Sequence, residues 1–169
     1  MTIVKNTKLS IISSVDALLE ATAKVISVVP ANSPKPVLSN IRFSVRNGIL
    51  ELTGTDSTVG IHYEIPAASV KSEGEGLLNG IKFIGLLKEF RGSETKIAFS
   101  DRGGCKFKAK GGSYRVVGDD IRDYPKTLRF DKNKGLDILS LDLVDMIKKT
   151  IFASAPEESR LSINGALVE

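Results

Sequence analysis

Few side chains in this sequence have the types and spacing for covalent or acid–base chemistry. The one histidine, His62, stands in an alternating run between Ile61 and Tyr63. It has no His or Cys companion at the spacing that a zinc ion needs. A single imidazole so embedded cannot build a Ser/His/Asp or Cys/His set, and His62 reads as a strand-surface histidine. Asp119, Asp120 and Asp123 form the one acidic cluster and offer oxygens suited to a hard cation. They lie beside Arg122 without a glycine-centred calcium loop, so a solvated linker is the simpler reading and a metal-dependent enzyme the rival. Cys105 is the only cysteine, which excludes an internal disulfide and fits a reducing cytosol. It alternates with Phe107, as a small buried hydrophobe does. Gly103-Gly104 and Gly111-Gly112 are flanked by strand patterns and open no helix, so neither a phosphate loop nor a dinucleotide fingerprint is present. No metal, cofactor or catalytic residue is expected.

The cations carry a different chemistry. Lys24 stands opposite the apolar stripe of a first predicted helix, Lys82, Lys88 and Arg91 opposite that of a second, and Lys148 and Lys149 opposite that of a third. Helices sharing one side of a sheet would turn these charges onto one surface, which attracts phosphates without reading bases and weakens with salt. The bland reading is a solvated helical face. A separate set, Lys106, Lys108 and Lys110, alternates with Cys105, Phe107 and Ala109. These lysines point to the sheet face away from the core, where they are expected to aid solubility and discourage edge pairing.

The elements that must position these residues follow from periodicity. The 169 residues are 41% apolar, enough for a core, and carry a net charge of only +4. No apolar run reaches the roughly 18–20 residues that span a bilayer, and the N-terminus lacks a signal-peptide pattern. Lys8–Ser13 reads as a strand, with Ser14 an N-cap for a helix whose stripe runs Val15, Leu18, Leu19, Thr22, Val25, Ile26 and Val29. Pro30, Pro34 and Pro36 end that helix. Strands follow at Ile41–Val45, Leu50–Leu52 and Val59–Ile65, the first two joined by Asn47-Gly48, a strong hairpin signal. A second copy of the order has a strand at Gly76–Asn79, a helix at Ile81–Phe90, and strands at Lys96–Ser100, Cys105–Lys110 and Tyr114–Val117. The expected class is α+β: repeated strand–helix–three-strand units with helices on one face of an antiparallel sheet.

Residues 1–7 read as an N-terminal arm, 8–121 as a first domain of two pseudo-symmetric units, 122–134 as a linker, and 135–169 as an incomplete second domain. That last part is expected to run strand Asp137–Leu141, helix Asp142–Phe152, loop, strand Leu161–Glu169. It breaks off inside an apolar alternation, which suggests a fragment or truncated form of a larger repetitive protein. The final strand would carry an open ladder and weak amide protection.

Several local signatures resemble one family. Pro36-Val-Leu-Ser-Asn-Ile41 followed by Leu50-Glu-Leu-Thr-Gly-Thr-Asp56 is similar to the first module of the bacterial β sliding clamps, the processivity subunits of DNA polymerase III. Tyr114-Arg-Val-Val, then Asp123-Tyr-Pro125, resembles the end of the first clamp domain and its linker. Phe152–Arg160 with Leu161-Ser-Ile-Asn-Gly165 resembles the start of the second.

The resemblance implies a DNA clamp fold and a non-catalytic accessory subunit of a DNA-directed DNA polymerase. Two subunits would close into a ring with helices facing the hole, encircling duplex DNA regardless of sequence and tethering the polymerase. Lys24, Lys82, Lys88, Lys148 and Lys149 would face DNA, with Asn32 and Lys35 in a loop that touches the duplex in relatives. Tyr114 and Val116 would lie on the strand at the subunit interface. Arg160 and Ile163 would belong to a pocket for short peptides of the polymerase and clamp loader. A cytoplasmic protein without cofactors is implied. The alternative is a non-encircling protein-interaction module on the same fold.

Overall fold

The computed structural model describes residues 7–100, 103–127, 133, 135, 137–154 and 165–168. The chain divides into two compact units, residues 1–128 and 129–169.

Among its described residues the first unit holds nine strands and two α-helices: β1 (Thr7–Ser14), α1 (Val15–Val25), β2 (Asn40–Arg46), β3 (Ile49–Thr55), β4 (Gly60–Pro66), β5 (Ser69–Ser72), β6 (Gly74–Asn79), α2 (Gly80–Lys88), β7 (Glu94–Ser100), β8 (Gly104–Ala109) and β9 (Gly112–Val117). Each helix starts on a polar cap that satisfies a free first-turn amide. The Ser14 hydroxyl accepts from Ala17 N at 3.5 Å, and the Asn79 side chain accepts from Lys82 N at 3.1 Å. Asn47 and Gly48 both take positive φ, 51° and 79°, closing the β2–β3 hairpin as the Asn-Gly signal predicts.

The α+β class holds, but the strands divide between two antiparallel sheets rather than forming one. The order β5-β1-β7-β8-β9 makes a five-stranded sheet and β4-β3-β2-β6 a four-stranded one. The split follows from an exchange between the repeats. The first strand of each, β1 or β6, leaves its own three-strand meander and pairs with that of the other, β1 on β7 and β6 on β2. The short β5, absent from the periodicity reading, adds to the free side of β1. One core unites both sheets and both helices, with Phe43, Phe83, Phe99 and Phe107 among its largest fully buried side chains. Phe43 meets Phe83 edge-on at 5.1 Å, an arrangement that aromatic quadrupoles favour.

Two lysine assignments change with this topology. Lys106 and Lys108 lie on β8, which is flanked by β7 and β9. They guard no edge, because β8 has none.

Gly118–Thr127, read from its polarity as mostly linker, crosses the outward face of the four-stranded sheet. Gly118 sits on β6, where a Cβ would collide with the carbonyl oxygen of Leu77. Asp119 accepts from the Asn40 side chain of β2 at 2.6 Å. The Tyr124 hydroxyl donates to the Thr53 carbonyl of β3 at 3.1 Å, and Thr127 reaches Gly60 of β4. The segment is a strap whose successive residues touch four neighbouring strands.

In the second unit, α3 (Ser140–Thr150) is the one α-helix among the described residues. The expected strand Asp137–Leu141 does not form: Leu139 is the helix N-cap, and Ser140 and Leu141 already belong to the first turn. A strand needs a ladder partner, whereas this helix needs only its own carbonyls, with Asp142 favourably placed in its first turn. Residues 165–168 of the expected final strand are not in a strand; Leu161–Asn164 and Glu169 lie outside the described residues.

Candidate nucleic-acid interface

α1 and α2 pack against one another and bury their inner faces in the same core. Their outward faces therefore share one side of the unit. Lys24, in the last turn of α1, is exposed, as are Lys82 and Lys88 of α2 and Arg91 just beyond it. None of these four cations has an ion pair among the described residues.

The two carboxylates of α1 are tethered. Asp16 accepts the backbone N–H of Gly92 at 3.2 Å. Glu20 accepts the Tyr63 hydroxyl of β4 at 3.3 Å, and its charge raises the Tyr63 phenol above its usual range. These partners hold the negative charges toward the α2–β7 turn and β4. The cations are left on flexible stems in water, where attraction to a polyanion is long-ranged and salt-screened.

Asn32 and Lys82 come together. They line a shallow cavity of about 380 Å³ with Ser33, Asn79 and Asp119. Lys35 is exposed nearby, and its amide donates to Ser33 Oγ at 3.1 Å. The segment Asn32–Lys35 reaches α2 because Pro36–Ser39 forms a 3₁₀ turn, with Ser39 Oγ donating to the Pro30 carbonyl at 2.9 Å. Lys148 and Lys149 belong to the second unit, on the last turn of α3. Lys149 pairs with Asp145 one turn back at 2.7 Å, a surface contact worth about 0.3–0.5 kcal/mol. Arg160 and Ile163 lie outside the described residues.

Tyr114 and Val116 stand on β9, an outer strand with β8 as its partner. The Tyr114 ring packs on Phe90 with centroids 5.2 Å apart, yet remains 42% exposed. The far edge of β9 offers backbone donors and acceptors to another strand.

The residues considered for catalysis have other partners. His62 Nδ1 lies 3.1 Å from Thr53 Oγ1 and 3.7 Å from Glu51 on the neighbouring strand. Asp120 is clasped by Arg122, whose hydrogen bonds hold its carboxyl down at about 2, while Asp119 binds Asn40. No group of three potential metal ligands occurs among the described residues. The Cys105 thiol is buried, which pushes its pKa up to about 12. Periodicity missed the two carboxylate tethers and the Tyr124 anchor, because each joins residues more than forty positions apart with no local spacing to betray them.

Residues 8–127 match the family model described as DNA polymerase III beta subunit, N-terminal domain. The chain is 28% identical to a beta sliding clamp of Chlamydia pneumoniae over 86% of its own length and 39% of that protein. It is 26% identical to one of Buchnera aphidicola subsp. Rhopalosiphum padi over 91% of its length and 42% of the relative. It thus spans about two fifths of these relatives. Among solved structures, the DNA polymerase III subunit beta sliding clamp of Pseudomonas aeruginosa superimposes with a TM-score of 0.85 at 24% identity, covering 94% of this chain and 43% of that one. The beta sliding clamp of C. crescentus gives 0.84 at 25% identity, covering 93% and 42%.

Proposed function

This chain belongs to the DNA polymerase III beta subunit family through its N-terminal domain, and from that premise we propose that its paired-helix face rides on duplex DNA as part of a sliding clamp. The observation that carries the reading is the charge arrangement on α1 and α2. Lys24, Lys82, Lys88 and Arg91 stand free of ion pairs among the described residues, and the two carboxylates of α1, Asp16 and Glu20, are tied off by Gly92 and Tyr63.

Such a face suits sliding. Exposed lysines contact phosphates through water and in many equivalent geometries, so no register along the duplex is preferred. Residence on DNA then comes from encirclement, and the tethered polymerase gains effective concentration at the primer end. In this reading the protein is a non-catalytic accessory subunit, acting in the cytoplasm on double-stranded DNA and the replicative polymerase with its clamp loader. Asn32 and Lys35 extend the DNA-facing surface of the first unit, and Lys148 and Lys149 give α3 of the second unit DNA-facing charges of its own. The β9 edge bearing Tyr114 and Val116 serves the homodimer ring, and Arg160 with Ile163 contributes to a partner-peptide pocket.

Fluorescence anisotropy with labelled duplexes of unrelated sequence tests the reading. Binding should be weak, equal for all sequences and linear in log salt. Lys24→Glu and Lys82→Glu should each lower affinity and flatten the salt slope by about 1. Salt-insensitive binding, or binding untouched by both changes, would remove the helical face from contact with DNA.

A further inference from the structure

A second concentration of positive charge lies on the opposite side of the five-stranded sheet. Cross-strand register places Lys96 of β7 directly opposite Lys108 of β8, and Lys106 of β8 directly opposite Arg115 of β9. Directly opposed residues share a face. The alternate positions Ile97, Phe99, Cys105 and Phe107 are buried in the core, so this cationic face points outward. Lys106, Lys108 and Arg115 are exposed and Lys96 half-buried.

Like charges directly opposed across a ladder are destabilising, and this sheet keeps two such pairs side by side. No ion pair relieves them among the described residues. Glu94 is the one carboxylate at an outward position of β7, β8 and β9 among those residues. Edge protection does not account for the lysines, since β8 is an interior strand.

The chemistry of the face narrows its partner. Phe107 and Tyr114 pair with one another on the inward side, so the outward face has no stacking platform of the kind that holds single-stranded nucleic acid. The amides of β8 are used in its two ladders. The backbone N–H groups and helix N-termini that help fix a duplex backbone are therefore missing from its centre. What remains is a set of flexible point charges. Lys106 and Lys108 are two residues apart on a strand, about 6.8 Å along the chain. An extended acidic peptide repeats its carboxylates on one face at the same interval.

We propose that the outward face formed by Lys96, Lys106, Lys108 and Arg115 is a docking surface for an extended acidic segment of a partner protein. It is separate from the helical face assigned to DNA and does not depend on that assignment.

A fluorescein-labelled twelve-residue polyglutamate, titrated with the full chain at low salt, tests this directly. The peptide should bind, and binding should weaken as salt rises. Lys106→Glu with Lys108→Glu should lower its affinity at least tenfold. Lys24→Glu with Lys82→Glu, an equal change in net charge on the other side, should leave it within twofold. Circular dichroism checks the fold of each variant, with Lys106→Gln plus Lys108→Gln as a milder pair. Absence of peptide binding, or equal loss in both double variants, would overturn the proposal. So would stronger binding of a twelve-base-pair duplex than of the peptide to the Lys24→Glu/Lys82→Glu protein, which would make this face a nucleic-acid surface. Duplex binding by the unaltered protein is scored separately, so failure of the DNA reading stays distinguishable.

Discussion

At the scale of single residues, burial sets the chemistry of the two most perturbed groups that a reagent or titrant can report. The Cys105 thiol, raised to about 12 by desolvation, has almost no thiolate at neutral pH. Iodoacetamide at pH 8 should leave native Cys105 unmodified over hours and label it readily in denaturant; fast native labelling, followed by mass spectrometry, would contradict its place in the core. Tyr124 is 8% exposed, and burial raises its phenol to about 12. The folded state thus holds that proton more tightly than the unfolded chain does. The associated stability is complete below about 10 and drains away as pH rises from there toward 12. Absorbance at 295 nm should show one of the three tyrosines titrating near 12 in the native protein, lost in Tyr124→Phe. That variant should cost about 1 kcal/mol in urea unfolding, the net worth of a buried hydrogen bond to the Thr53 carbonyl.

Elements show where a linear reading succeeds and where it stops. Ser14, the stripe beginning at Val15 and the Asn47-Gly48 turn act through neighbours within four positions, so α1 and the β2–β3 hairpin were legible, although the stripe was read to Val29 and the α-helix gives way to a 3₁₀ turn at Ile26. The lysines of α1 and α2 were legible for the same reason, since helical spacing fixes which face they occupy. Strand exchange was not legible: nothing local to β1 or β6 says that each pairs with the other repeat's meander. The strap was hidden by its composition. Asp119 and Asp120 look solvated in sequence and are exposed, yet Asp119 also holds Asn40 and Gly118 fits where a side chain would strike Leu77. Gly118→Ala should lift the strap off β6, and hydrogen exchange at the described amides from Gly118 to Thr127 should accelerate at least tenfold while β7 and β8 stay protected. At the head of α2, Asn79→Ala should cost about 1 kcal/mol by freeing the Lys82 amide, and thermal unfolding would register it.

For the whole molecule, the decisive contrast is between its two units. Every buried hydrophobic residue among those described lies at or before Tyr124. In the second unit, by contrast, Leu143, Val144 and Ile147 of α3 and Ile151 at its C-cap form a stripe at helical spacing that is exposed along its length. Tertiary packing of an apolar face supplies most of a short helix's stability, and eleven residues are marginal without it. The strap, by contrast, ends on β4 and completes the first unit's outer surface. A chain of residues 1–127 should therefore unfold with the same urea midpoint and the same slope as the full sequence, because the slope follows the area exposed on unfolding. A markedly lower midpoint for the shorter chain would mean that residues after Thr127 stabilise the first unit. A second, separate transition in the full chain would mean that α3 belongs to a cooperative core of its own.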